Sequence, residues 1–258
     1  MKIIPERLYR KIRYRKGYGV HSPFAYNFIV NIIEEKLPYY VFEDIEKRRT
    51  ELLNNKDTVE FSSQKGVIKK KTVAEITLKE TQSGKYGALL FRLVNFMQSK
   101  HILQVGASTG IMTLYMASVR KDMQCIVLEE RKELVPIVQE QCDALSLNHV
   151  KVEQGEYLNL IENVLKKQDY FDLIFLNTAR NPELTHKILS KHICTRFLVV
   201  DGIYRDKKTK VLWESVKNNP HAKITIDLYY LGIALFDGKF YKKHYKVHFD
   251  NGKGQFQK

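Results

Sequence analysis

The sequence predicts an α/β fold built on a doubly wound, mostly parallel sheet, and three observations carry that expectation. Short apolar, β-rich runs recur at Ile102–Val105, Cys125–Leu128, Val150–Glu153, Phe171–Leu176 and Phe197–Val200. Helix-like segments separate them at 110–120, 132–145, 158–167, 182–191 and 207–217. Strands this apolar, alternating with helices, form parallel sheets covered on both faces. After the last helix the pattern changes. Lys223–Tyr230 and Ile233–Phe236 read as two strands joined across Leu231-Gly232, which predicts an antiparallel hairpin at the sheet edge.

The elements before the sheet read as follows. Residues 1–50 are helical in pattern, with Tyr26, Phe28, Ile29, Ile32 and Ile33 giving an apolar stripe. Ser22 and Pro23 have the form of a helix start, a capping hydroxyl followed by proline at the first helical position. The stretch 54–84 is polar and Lys-rich and reads as a loop. Tyr86–Val94 reads as a helix leading into the regular part, and Asn181-Pro182-Glu183 as a later helix entry. The chain therefore divides into a helical extension with a polar loop, 1–84, and a sheet-bearing region, 85–258, with a basic tail.

Composition agrees with a globular protein: 258 residues, 44% hydrophobic and 28% charged, enough for a sizeable core. No apolar run approaches the roughly 20 residues a membrane-spanning helix needs, and the first residues lack the apolar centre of a signal peptide. Cys125, Cys142 and Cys194 are widely spaced and form no CxxC pair. That argues against a disulfide framework or a zinc knuckle, and a cytoplasmic protein is expected.

The net charge is +14, and its distribution matters more than its size. Residues 1–17 hold seven basic side chains against Glu6 alone, and residues 238–258 hold six against Asp250 alone. The body between them is nearly balanced. Such ends suit nucleic acid, an anionic surface or an acidic substrate, and also serve solubility alone.

The first apolar strand runs into Gln104-Val105-Gly106-Ala107-Ser108-Thr109-Gly110, with a helix after it. Gly106 permits a tight turn and close approach of a ligand, and Gly110 permits close packing at the helix start. The second strand ends at Leu128-Glu129-Glu130, where an acid can accept hydrogen bonds from ribose hydroxyls. This arrangement points to a nucleoside-containing ligand. Neither the GxGxxG of dinucleotide sites nor the GxxxxGK[ST] of triphosphate sites is present.

These residues have a family likeness. ILQVGASTGIMTLYMA resembles motif I of the class I S-adenosylmethionine-dependent methyltransferases, and LEE resembles the acidic end of their second strand. GYGVHSPFAY, KYGALLFRLVNF, FDLIFLN, VVDGIY and ITIDLYYLGIALF together resemble a small bacterial O-methyltransferase-like group with a helical N-terminal extension. The resemblance implies a Rossmann-like, seven-stranded methyltransferase fold with S-adenosylmethionine as cofactor. It places Gln104, Gly106, Ala107, Ser108 and Gly110 at the methionine and ribose end and Glu129 on the ribose hydroxyls. Gly155 and Glu156 fall beside the adenine, and Tyr86, Gly87 and Asn177 also fall at the cofactor site.

Departures from the family pattern are equally informative. Gln104 and Asn177 stand where the family usually has acids, as does Gly202, leaving Asp201 alone of the acids that hold magnesium in metal-dependent relatives. No metal is expected, because magnesium is held through carboxylates. His244 with His248 lack a third ligand, and His186 with His192 lie on different helix faces. Candidates for acceptor contact and catalysis are Asp201, as possible base, Tyr204 and His21. A small-molecule acceptor is the expectation. The alternatives are methylation of RNA or another polyanion through the basic ends, and a degenerate, non-catalytic member. The N-terminal helices are also a possible oligomer contact.

Overall fold

The computed structural model describes residues 6–14, 22–62, 68–177, 182–190 and 194–249. They form two compact units, one taking the chain up to Leu37 and again from Asp169, the other comprising Pro38–Gln168.

The first unit begins with α1 (Glu6–Arg13) and α2 (Pro23–Phe28). Ser22 Oγ accepts the Ala25 amide at 3.3 Å and Pro23 opens α2, as its sequence implied. A π-helical turn, Ile29–Ile33, continues it and buries Ile29, Ile32 and Ile33.

The second unit opens with α3 (Val41–Asn54). The polar stretch that follows is not a loop. It holds an antiparallel hairpin, β1 (Thr58–Ser62) with β2 (Ile68–Thr72), and helix α4 (Val73–Glu80). Thr72 and Glu75 form a reciprocal capping box at the start of α4. Its lysines concealed the hairpin, because Ile68, Lys69 and Lys70 of β2 are exposed in succession, without an apolar alternation, and Lys70 pairs across the ladder with Glu60. α5 (Gly84–Met97) then leads to β3 (His101–Val105), α6 (Ile111–Ala117), β4 (Gln124–Glu129), α7 (Val135–Ala144), β5 (Val150–Gln154) and α8 (Tyr157–Lys167). The strands lie parallel in the order β5-β4-β3. Gly87, on α5, lies against the ring of Tyr115 from α6: a β-carbon there would clash with the edge carbons of that ring.

The chain returns to the first unit with β6 (Tyr170–Leu176), α9 (Pro182–Ser190), β7 (Cys194–Asp201) and α10 (Lys207–Asn218). β8 (Ile224–Asp227), β9 (Leu231–Leu235) and β10 (Lys243–Lys246) complete it. β6 and β7 are parallel, β9 runs antiparallel to both β7 and β8, and β10 is parallel to β8.

The α/β expectation is borne out, and every apolar run foreseen from sequence is a strand. Among the described residues, and besides the β1–β2 hairpin, the first unit holds five strands and the second three, where seven were expected; the addition is β10, cut from the stretch read as a basic tail. The C-terminal hairpin exists, but its turn is Leu228–Tyr230, with Tyr229 at φ 76°. Leu231 and Gly232 lie inside β9. Gly232 serves packing there: a β-carbon would sit 2.6 Å from the buried Trp213 ring.

Candidate functional site

The glycine turn is shaped by its backbone. Gly106, Ser108 and Gly110 all have positive φ, at 87°, 53° and 87°. Such alternation turns successive N–H groups toward one point and makes a concave anion site. A carboxylate of the chain itself occupies it. Glu129, at the end of β4, accepts the Ala107 and Ser108 amides on Oε2 at 2.9 and 3.0 Å. Its other oxygen, Oε1, accepts the Arg131 amide at 3.1 Å, Arg131 Nε at 3.0 Å and the Tyr157 hydroxyl at 3.3 Å. The residue is 0% exposed. Burial, then the Glu129 charge, holds the Tyr157 proton tightly and raises its pKa.

Gln104 is also committed. Its amide donates to the Gly106 carbonyl at 3.0 Å and accepts the Thr113 hydroxyl at 2.8 Å. A carboxylate could not donate that first bond, which gives the family departure at 104 a physical reason. Thr109 anchors the turn on α4 through the Thr77 hydroxyl, 3.2 Å away. The Ser108 hydroxyl is buried with no hydrogen-bond partner among the described residues. A nucleoside ligand therefore fits the turn: it would satisfy Ser108 and compete for Glu129 Oε1.

The remaining cofactor candidates divide. Gly155, at φ 152°, follows β5 and donates its amide to the Glu129 carbonyl at 3.2 Å. Glu156 is an exposed residue at the start of α8 and accepts the Asn159 side-chain amide at 2.6 Å. Tyr86 is buried within α5. Gly87, which the resemblance places at the cofactor site, packs against the Tyr115 ring, where a β-carbon has no room.

In the first unit, Asp201 ends β7 fully buried, and its carboxylate is paired with Arg205. Gly202, at φ 67°, leaves room for that pair, since a β-carbon would lie 2.8 Å from the Arg205 guanidinium. Asn177 is half-buried just after β6. His21 lies outside the described residues.

Tyr204 belongs to a cluster that sequence reasoning missed. Its hydroxyl donates to Asp227 Oδ2 at 2.5 Å. Arg10 of α1 donates to both Asp227 oxygens, Nη1 to Oδ1 at 2.7 Å and Nη2 to Oδ2 at 3.0 Å. The Tyr229 amide adds a bond at 2.8 Å, and the Arg10 guanidinium lies 5.7 and 5.3 Å from the Tyr204 and Tyr229 ring centroids. Burial raises the Asp227 pKa, but hydrogen bonds from Arg10 and Tyr204 outweigh it and hold the carboxyl below the usual range. The native state therefore binds this proton less readily than the unfolded chain. Stability from Asp227 is present above pH about 4 and is lost as the pH falls through the native value. Thermal melting across pH 5 to 2 is expected to show this loss, and Asp227→Asn to reduce it; an identical pH slope in the variant would refute the assignment. Arg131 follows the end of β4 by two residues and Asp227 is the last residue of β8, which is a usable hint. Nothing local marked Arg10 or Glu80.

Part of the basic ends is spent internally. Arg10 is buried, Lys239 pairs with Asp237, and Lys242 donates to the Asn218 and Asn219 carbonyls. Among the described residues, no group of three or more His, Cys, Asp or Glu could hold a metal, and no helix is long and apolar enough to cross a membrane.

Residues 58–215 match the family model described as O-methyltransferase. No curated protein matches in sequence. Solved structures agree in fold. The O-methyltransferase from Bacillus cereus in complex with SAH is 14% identical, with a TM-score of 0.56, covering 81% of this chain and 96% of its own. The O-methyltransferase TomG from Streptomyces achromogenes, involved in tomaymycin synthesis and bound to SAM, is 14% identical, with a TM-score of 0.55 over 92% of this chain and 100% of its own. SAH-bound methyltransferase PaMTH1 from Podospora anserina is 12% identical, with a TM-score of 0.57 over 84% and 97%.

Proposed function

The chain belongs to the O-methyltransferase family, and from that premise we propose that it transfers a methyl group from S-adenosylmethionine to a small-molecule acceptor. The observation that carries this reading is the Glu129 carboxylate at the end of β4, held by the amides of the Gly106–Gly110 turn. The neighbours solved with SAM or SAH support the choice of cofactor. When bound, the cofactor supplies an electrophilic methyl group on a sulfonium.

Each residue has a distinct part in this proposal. Glu129 accepts the ribose hydroxyls. Gly106, Ala107, Ser108 and Gly110 line the methionine and ribose end, with Ser108 Oγ gaining a partner. Gln104 braces the turn from beneath. Gly155 and Glu156 flank the adenine, and Tyr86 packs behind the site. Asp201, held by Arg205, orients an acceptor, while Tyr204 presents a hydroxyl whose proton is directed at Asp227. Catalysis by such groups is chiefly alignment of nucleophile and methyl, which can supply about 7–11 kcal/mol.

Calorimetric titration with S-adenosylmethionine tests the proposal. Micromolar binding is expected, and Glu129→Ala is expected to weaken it about tenfold, in line with loss of hydrogen bonds to a charged group. Unchanged affinity in the variant would show the ribose to be misplaced. The small-molecule acceptor is supported by the engagement of Arg10, Lys239 and Lys242. A steep fall of RNA binding with salt would instead favour a polyanion.

A further inference from the structure

Glu129 is over-subscribed. A carboxylate offers about four lone-pair positions, and five donors meet it. Three of these are backbone amides fixed by the turn and by the residue after Glu130. The two that can leave are side chains, the Tyr157 hydroxyl and Arg131 Nε, and both sit on Oε1. Any ribose diol reaching Glu129 must take that oxygen from them.

Arg131 has somewhere to go. Its Nη1 already donates to Glu80 Oε2, at the end of α4, at 2.7 Å. Lys71 holds the other Glu80 oxygen at 3.2 Å. The guanidinium carbon lies 5.6 Å from the centroid of the Phe61 ring of β1, a cation–π contact. Its side chain is 29% exposed while that of Glu129 is fully buried, so Arg131 forms the outer cover of the carboxylate. Burial works against both charges, but Glu129 and Glu80 keep Arg131 firmly protonated, and Arg131 with Lys71 keeps the Glu80 carboxyl below its ordinary range.

We propose that Arg131 is a displaceable clamp on the ribose-binding carboxylate, shared between Glu129 in the free protein and Glu80 when a nucleoside is bound. The inference rests on the reading of Glu129 as the ribose acceptor. With the ligand away, the guanidinium caps Oε1. The incoming diol replaces its hydrogen bond, and Glu80 retains the displaced cation. Arg131 thereby sets the affinity threshold of the site, since a ligand must offer hydroxyl donors good enough to displace a charge-assisted bond. Sharing of one arginine between two acids makes the strengths of its two partners opposed.

That opposition gives the test. S-adenosylhomocysteine is titrated calorimetrically into the full chain, so the readout is binding and not turnover. Arg131→Met keeps a stem to pack on Phe61 and removes the donors; it is expected to tighten binding about tenfold. Glu80→Gln weakens the alternative station and is expected to loosen binding several-fold, an effect absent when Arg131→Met is already in place. Thermal melts of each ligand-free variant confirm that it is folded. A merely structural Arg131 predicts weaker binding in both single variants, and that result overturns the clamp. Wild-type binding that is lost in Glu129→Ala but unaffected by Arg131→Met overturns the clamp and leaves the cofactor site standing. Absence of binding in wild type and Arg131→Met alike, or binding indifferent to Glu129→Ala, overturns the cofactor reading and the clamp with it. Binding seen only in Arg131→Met supports both.

Discussion

Asp227→Ala is expected to destabilise the protein by about 3–5 kcal/mol, the usual cost of removing one partner from a buried ion pair. The cost falls mainly on what remains. Arg10 is 2% exposed, and without Asp227 its guanidinium keeps the neighbouring Tyr204 and Tyr229 rings but loses both of its carboxylate bonds. Tyr204 loses its acceptor and the Tyr229 amide loses its bond, in a turn already carrying a positive φ. Urea denaturation monitored by fluorescence of the single tryptophan, Trp213, reads this directly. It lies in the same unit, fully buried beside β9. The combined variant Arg10→Met with Asp227→Leu removes the unpaired charge and is expected to recover most of the loss. A loss below about 1 kcal/mol for Asp227→Ala would show the pair to be solvated like a surface bridge.

Gly87→Ala is expected to cost about 2–3 kcal/mol, although alanine is the better helix former by about 1 kcal/mol. The reason is the Tyr115 ring, which occupies the space a β-carbon needs. That ring has little freedom to retreat, because its hydroxyl donates to Glu46 Oε1 at 2.7 Å and it packs at a tilt on Phe42, centroids 5.3 Å apart. Shortening Tyr115 to alanine should make the second substitution nearly neutral, so the double variant is expected to be less destabilised than the sum of the singles. Had Gly87 been needed for a ligand instead, the substitution would impair cofactor binding while leaving the urea midpoint in place, and that outcome would reverse the assignment.

Much of the fold was legible from the chain because periodicity reports burial. Val105, Val127 and Phe175 lie in runs too apolar for a half-exposed strand, and each is in a fully covered one. The capping of α2 by Ser22 was local and therefore readable. The hairpin of β1 and β2 was not, because its stability comes from cross-strand pairing of lysines with Glu60 and Phe61. β10 was hidden likewise, its register being set by β8 some twenty residues earlier. At the candidate site, the turn and Glu129 could be found from spacing, whereas Glu80 comes to Arg131 from 51 residues away and Arg10 to Asp227 from 217.

The order of residues alone thus decided the layered α/β architecture, the glycine turn and the acid at the end of β4, since each depends on neighbours a few positions apart. Tertiary structure decided the use of those parts. It gave Gly87 and Gly232 to ring packing, bound Asp201 to Arg205, and surrounded Glu129 with more donors than it can serve. Ion pairs and close packing depend on distance in space, and only the folded chain brings such partners to within a few ångströms of each other.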